Sequence, residues 1–75
     1  MATRQEQADL DAMKTERAKM LEQMFSTMSY LDRCNETALS HTGHKTREAA
    51  IRWTFQETEK RIRKLVEAHI RKYPD

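Results

Sequence analysis

The sequence contains very few residues that interrupt or cross-link a chain. One glycine and one proline in 75 residues leave almost no turn signals, which excludes a fold of many short strands. A single cysteine, Cys34, excludes an intrachain disulfide and therefore a secreted disulfide scaffold. No apolar run approaches the length of a signal peptide or a membrane span. These absences predict a soluble, cytoplasmic protein that does not enter membranes.

Motifs for catalysis or for binding a cofactor are also missing. There is no glycine-rich phosphate loop, no Glu-x-x-His pair and no Ser-His-Asp combination with a plausible pocket. His41 and His44, with Cys34 and Glu48 nearby, are groups that can bind metal, but a second cysteine for a tetrahedral site is lacking. We therefore expect no enzyme activity, no cofactor and no metal site.

Strong helix formers dominate the remaining composition, and 35% of the residues are charged. Thr3 followed by Glu6 matches a capping box, Gly43 is a C-cap signal, and Pro74 ends any preceding helix. The sequence predicts one all-α domain over residues 1–75. Its helix 1 spans about 4–41, its loop about 42–44, and its helix 2 about 45–73.

Apolar residues recur at helical spacing and form one stripe about 100° wide on each helix. The stripe of helix 1 contains Leu10, Met13, Met20, Leu21, Met24, Met28, Leu31, Ala38 and Leu39, and is interrupted by the polar Arg17 and Asn35. The stripe of helix 2 contains Ile51, Phe55, Thr58, Ile62, Leu65, Val66, His69 and Tyr73.

The short loop makes the two helices antiparallel neighbours, so the predicted fold is an antiparallel two-helix hairpin. The predicted loop places Met24 opposite Ile62 and Leu31 opposite Phe55. A hairpin of this size has only a thin core, and small domains with thin cores are commonly stabilised by association. We expect a homodimer in which two hairpins form a four-helix bundle.

The aromatic residues Tyr30 and Trp53 fall outside the predicted stripes. Tyr30 and Trp53 lie on the far sides of their helices at a similar height, with Cys34 and Ala50 one turn away. We predict that these four residues form a second apolar patch for dimerisation or partner docking. Met24 and Met28 belong to the same predicted interface, because methionine adapts to irregular surfaces. The alternative is that Trp53 covers the edge of its own hairpin.

Charge is distributed unevenly between the two halves. Residues 1–44 carry five basic and seven acidic residues, a net charge of −2, whereas residues 45–75 carry nine and five, a net charge of +4. The predicted phosphate contacts are four basic residues of helix 2, namely Lys60, Arg61, Lys64 and Arg71. Glutamates interrupt this row of positive charge.

The leading interpretation is a protein–protein interaction module, acting as an adaptor, small chaperone or regulator through the hairpin surface. The alternative is a nucleic-acid-associated regulator that uses the basic face of helix 2. A third hypothesis is an oligomerisation segment of a larger protein.

Overall fold

The computed structural model describes residues 3–74, and within this range it contains helices and no strand. Helix α1 spans Arg4–Arg33, α2 spans Glu36–Ser40, and α3 spans Arg47–Lys72. The long helices α1 and α3 pack side by side in opposite directions, which confirms the all-α class and the hairpin. The hairpin measures 52 × 17 × 14 Å. Met1, Ala2 and Asp75 belong to the predicted domain but lie outside the described residues.

Side-chain caps fix the N-terminal ends of the two long helices. The Thr3 hydroxyl accepts a hydrogen bond of 3.1 Å from the backbone N–H of Glu6, which confirms the predicted N-cap. Thr46 caps α3 in the same way, accepting from the Ala49 N–H at 3.1 Å. The chain leaves α3 at Tyr73, directly before Pro74. The second helix therefore begins two residues later than predicted and ends one residue earlier.

The predicted continuous helix over 4–41 is wrong, because the chain breaks at Cys34 and Asn35. Both residues adopt extended backbone angles, and the Asn35 side chain accepts a 2.8 Å hydrogen bond from the Ala38 N–H to start α2. Asparagine side chains compete with the backbone for hydrogen bonds, and this favours caps over helix interiors. Asn35 is therefore a helix start, whereas the sequence pattern treated it as a polar interruption of one stripe.

The connection between α2 and α3 is longer than the predicted loop and covers residues 41–46. Gly43 has a φ of +85°, a left-handed conformation that suits glycine because it has no Cβ. The backbone N–H groups of Thr42 and Gly43 donate back to carbonyls of α2, at 3.0 and 3.3 Å. These bonds satisfy carbonyls that the short helix leaves exposed at its end.

Arg47, the first residue of α3, ties the end of α1 to the turn. Its Nε donates to the Leu31 carbonyl at 3.1 Å and its Nη2 donates to the Cys34 carbonyl at 2.7 Å. The last carbonyls of a helix lack partners within the helix and carry partial negative charge. A guanidinium donates hydrogen bonds to these carbonyls and carries the positive charge that they favour. Through Arg47, α3 therefore caps α1 across the break.

The buried core lies at this end of the hairpin and is small. Leu31, Cys34, Leu39 and Ala50 form it, and Ala38 and Ile51 pack against it. All three helices contribute, because the break at Asn35 turns α2 back over the hairpin. Further from the turn, Met24 is the remaining buried apolar residue of residues 3–74.

The buried side of α3 is rotated relative to the predicted stripe. Ala50, Thr54 and Thr58 are buried, whereas Phe55 is more than half exposed and Val66 is also exposed. The predicted burial of Phe55 and Val66 is therefore wrong, while the remaining stripe residues of both helices are at least partly buried. The Thr54 and Thr58 hydroxyls donate to backbone carbonyls one turn earlier, each at 2.9 Å, so burying them leaves no unpaired polar group.

The register between α1 and α3 also differs from the prediction by about one helical turn. Met24 shares a groove with Thr54 and Thr58, not with Ile62, and the Leu31 carbonyl binds Arg47 rather than lying opposite Phe55. The centre of the connection lies near residue 40 instead of residue 43, because α1 ends at Arg33. An earlier centre pairs every residue of α1 with an earlier residue of α3.

A polar cluster joins α1 and α3 at the end remote from the turn. The Asp9 carboxylate accepts a hydrogen bond from the Tyr73 hydroxyl and lies 2.7 Å from Lys72 Nζ. Hydrogen bonds from Lys72 and then Tyr73 lower the pKa of Asp9 below its ordinary value of 3.8. The same contacts with Asp9 raise the pKa of Lys72 and of Tyr73. The ionised carboxylate is therefore the form that holds this end together.

Candidate interaction surfaces

Two aromatic side chains of α3 point to opposite faces of the hairpin. Trp53 and Phe55 are two residues apart, about 200° around a helix, and their exposed fractions are 51% and 53%. The side of the hairpin on which Phe55 lies is named the Phe55 face. The opposite side is named the Trp53 face.

The Phe55 face carries an open apolar groove of about 650 Å³ between the helices near the turn. Its lining combines three apolar side chains with charged residues of α3: Met28, Ile51, Phe55, Arg47, Glu48 and Arg52. A second, smaller groove continues towards the termini and is lined partly by Ile62, Leu65 and Val66. Phe25, one turn before Met28 on α1, is 62% exposed. This face therefore presents large apolar side chains along much of the hairpin.

Two ion pairs follow the outer border of the Phe55 face. Arg52 lies 2.8 Å from Glu48, and Arg63 lies 3.1 Å from Glu59. Both pairs join residues four apart on α3, on either side of Phe55 along the helix. They are solvent-exposed, so each stabilises the helix by only a few tenths of a kcal/mol. The order of the charges along the border says more about a binding partner than the strength of either ion pair does.

The Trp53 face is partly covered by the protein's own chain. The His44 ring from the turn lies 5.4 Å from the Trp53 ring at a tilt of 48°. Below it, Met24, Thr54 and Arg61 help to line a small groove that also includes Trp53. Trp53 therefore has neighbours on the turn and along the seam, as the alternative interpretation of this residue predicts. Its role in binding a partner stays a prediction.

Tyr30 is exposed on α1, but it does not stack on Trp53. The aromatic ring pairs found in residues 3–74 are those of His44 with Trp53 and of His69 with Tyr73. The neighbouring thiol of Cys34, one turn later, raises the pKa of Tyr30. The predicted interface role of Tyr30 also stays a prediction.

Two residues of the predicted aromatic patch are not on the surface. Ala50 is 1% exposed and Cys34 is 5% exposed, so the structure places both in the core. Placing them on a surface patch was wrong because the break at Asn35 turns Cys34 inward, and α3 meets α1 through its small residues. Met24 is also buried, whereas Met28 is partly exposed in the groove of the Phe55 face.

Sequence reasoning missed the exposed pair Phe25 and Phe55. Phe55 was assigned to the predicted core, and Phe25 fell in neither stripe. The N-cap at Asn35 shortens α1 and shifts the axial register of the hairpin, but it does not determine which side of α3 is buried.

The predicted phosphate contacts lie on exposed parts of α3, interleaved with carboxylates. Lys60 Nζ lies 3.4 Å from Glu57, and Arg71 lies 3.9 Å from Glu67. Arg61 lines the groove beside Trp53, and Lys64 is exposed one turn after Lys60. The glutamates reduce the positive potential that these side chains present to a phosphate backbone.

Within residues 3–74, no three or more His, Cys, Asp or Glu side chains are grouped in a way that would hold a metal ion. In the same range, every helix is too short or too polar to span a bilayer. Comparisons with models of known protein families, with curated proteins and with solved structures give no significant match.

Proposed function

We propose that the protein is a protein–protein interaction module that acts through the surface of its hairpin, as an adaptor, small chaperone or regulator. The observation that carries the proposal is the Phe55 face, where Met28, Ile51 and Phe55 line an open groove and Phe25 is exposed one turn before Met28 on α1. Contiguous exposed apolar surface on a small domain is typical of interaction sites, and buried aromatics contribute most at such sites.

The size of the core supports the same proposal. The core cluster consists of four buried residues, and no intrachain disulfide is possible. Burying apolar surface yields roughly 25 cal/mol per Å², so covering two phenylalanines would add appreciably to so small a core. Association into a dimeric four-helix bundle belongs to this proposal, as does a reducing, cytoplasmic environment for the lone cysteine.

The test compares two aspartate variants of the same helix, Phe55→Asp and Trp53→Asp. The two aromatics are almost equally exposed, so each variant removes similar apolar area from opposite faces. Sedimentation velocity over a concentration series measures self-association, and immobilised protein measures retention of partner proteins. Circular dichroism controls for helix content. We expect Phe55→Asp to abolish association and retention while Trp53→Asp leaves both intact.

Loss only in Trp53→Asp would instead move the interface to the Trp53 face and support the predicted role of Tyr30 and Trp53. A native protein that is monomeric at every concentration and retains no protein through either face would contradict the proposed function.

Nucleic-acid regulation is the second candidate, and one observation favours it. The half-exposed Trp53 lies beside Arg61, with Lys60 and Lys64 further along α3. An aromatic ring flanked by basic side chains is an arrangement that binds single-stranded nucleic acid by stacking and charge. Joint replacement of Lys60, Lys64 and Arg71 by Gln should abolish salt-dependent retention on a DNA column. Passage of the native protein at physiological salt would contradict this candidate.

A further inference from the structure

We infer that the occupant of the Phe55 face is a second copy of this chain, related by a two-fold axis that passes beside Phe55. In this arrangement α3 of each subunit lies antiparallel against α3 of the other. The inference rests on the proposed function and makes it specific, because it commits to a partner and to the relative orientation of the two subunits.

The charges along the border of the Phe55 face carry the inference. From the turn towards the terminus, the border reads Glu48, Arg52, Phe55, Glu59, Arg63. Arg52 precedes Phe55 by three residues and Glu59 follows it by four. Further out, Glu48 precedes Phe55 by seven residues and Arg63 follows it by eight. Reversing the order around Phe55 changes the sign at every charged position.

This order is self-complementary only between antiparallel copies. With the two-fold axis beside Phe55, Arg52 lies opposite the partner's Glu59, and Glu48 lies opposite the partner's Arg63. A two-fold interface contains each contact twice, so four opposite-charge pairs surround the central aromatics. A parallel copy in the same register would place like charges together throughout. The border therefore both favours one orientation and disfavours the other.

The position of Phe25 on α1 agrees with the same axis. The contacts of Asp9 with Tyr73 and of Leu31 with Arg47 fix the register of the hairpin. Between these contacts, Phe25 lies at about the height of Phe55. One axis perpendicular to the helices can therefore pass beside both phenylalanines. It pairs α1 with α1 and α3 with α3, and the product is an antiparallel four-helix bundle.

A different partner protein would need no such symmetry in the border. The ion pairs within each chain, Glu48 with Arg52 and Glu59 with Arg63, require only the spacing of four. They do not require that the two pairs lie symmetrically about an exposed phenylalanine. A second copy is the occupant for which this symmetry is useful.

The test uses charge-reversal variants alone and mixed. Arg52→Glu places a carboxylate against the carboxylate of the partner's Glu59, and Glu59→Arg places a guanidinium against the guanidinium of the partner's Arg52. Each variant alone should weaken the dimer on the order of tenfold in Kd, the effect of turning two exposed attractions into repulsions. In an equimolar mixture, a dimer with one chain of each variant restores both attractions, so dimerisation should return to near the native Kd.

Arg71→Glu is the matched control, because it breaks another exposed pair of residues four apart, on the Trp53 face. It should leave the dimer Kd unchanged. Circular dichroism on each variant separates loss of helix from loss of association. Labelled chains and energy transfer report the mixed dimer directly, and salt should weaken the recovery.

The outcomes separate this inference from the proposed function. A native dimer that both single variants leave unchanged, or that the mixture does not restore, overturns the two-fold arrangement while the interaction module stands. A native dimer lost in Trp53→Asp and retained in Phe55→Asp overturns the choice of face. A native monomer that binds a different protein through the Phe55 face overturns the second copy as occupant, and a monomer that binds nothing overturns both proposals.

Discussion

The two ends of the hairpin are held together by different physics. At the turn, four buried side chains from the three helices and the break after α1 pack together, and the Arg47 guanidinium binds two carbonyls at the end of α1. At the termini, the helices meet through the Asp9 carboxylate, which contacts Lys72 and Tyr73 near solvent. Burial of apolar surface contributes far more than exposed polar contacts of this kind. One continuous pair of helices therefore has a strong end and a weak end.

The difference teaches that helix length is a poor guide to local stability in this chain. The α1 and α3 helices extend well beyond the buried core, and the side chains there are only partly covered. Regions with few buried contacts open more readily than the global unfolding transition. We expect amide hydrogens near Asp9 to exchange faster than those near Leu31.

The largest effect is expected from Leu31→Ala at the strong end. The Leu31 side chain belongs to the core cluster, so truncation leaves a cavity and should cost about 2–4 kcal/mol of the free energy of unfolding. Urea unfolding at fixed protein concentration measures it. Leu10→Ala is the matched control at the weak end, where the side chain is only partly buried. Equal losses in the two variants would remove the distinction between the ends.

A smaller effect is expected from Asn35→Ala, which tests how the strong end is built. The variant removes the side-chain acceptor of the Ala38 N–H and should cost about 1 kcal/mol, as N-cap losses do. Asn35→Asp keeps an acceptor at the cap and should retain nearly native stability. If Asn35→Ala raises the free energy of unfolding, the break in α1 is not maintained by this cap.

The smallest effect is expected from Asp9→Asn at the weak end. Because the pKa of Asp9 is lowered in the fold, its contribution is present above the ordinary value of 3.8 and is lost as the pH falls through the lower folded value. The pKa values of Lys72 and Tyr73 are raised, so their contribution is lost as the pH rises beyond about 10. Native and Asp9→Asn proteins should therefore differ most at neutral pH.

The measurement compares the unfolding midpoints of the two proteins across the pH range. They should converge as the pH falls below 3.8 and passes through the lowered folded pKa of Asp9, where the native carboxylate becomes protonated as well. A constant difference between the two midpoints at all pH values would show that the charge on Asp9 does not hold the terminal end.

The sequence was sufficient to predict the elements of this fold with the strongest local signals. The Thr3 hydroxyl can cap the start of a helix, and Gly43 lacks the Cβ that disfavours a positive φ; the structure confirms both. Every residue of the predicted helix 1 stripe is at least partly buried, although Ala38 and Leu39 belong to the separate helix α2. Local chemistry and long periodicity are the features that one chain reveals without its tertiary contacts.

The candidate surface was harder to predict, because it depends on where the helices meet. Ala50 and Thr54 are small and one of them is polar, so neither stands out in a hydrophobic pattern. Yet both side chains are buried where α3 packs against the rest of the hairpin. Phe55 is strongly apolar and was therefore assigned to the core. Burial on α3 follows from the side on which α1 packs, and this depends on tertiary contacts that a hydrophobic pattern does not contain.

The position of Arg47 has a consequence for the order in which the chain folds. Its hydrogen bonds join residues only 13 and 16 positions apart, so forming them closes a short loop. Short loops lose little entropy on closure, and contacts between residues near in sequence form early. The hairpin should therefore nucleate around the turn and zip towards its termini, with the Asp9 cluster closing last.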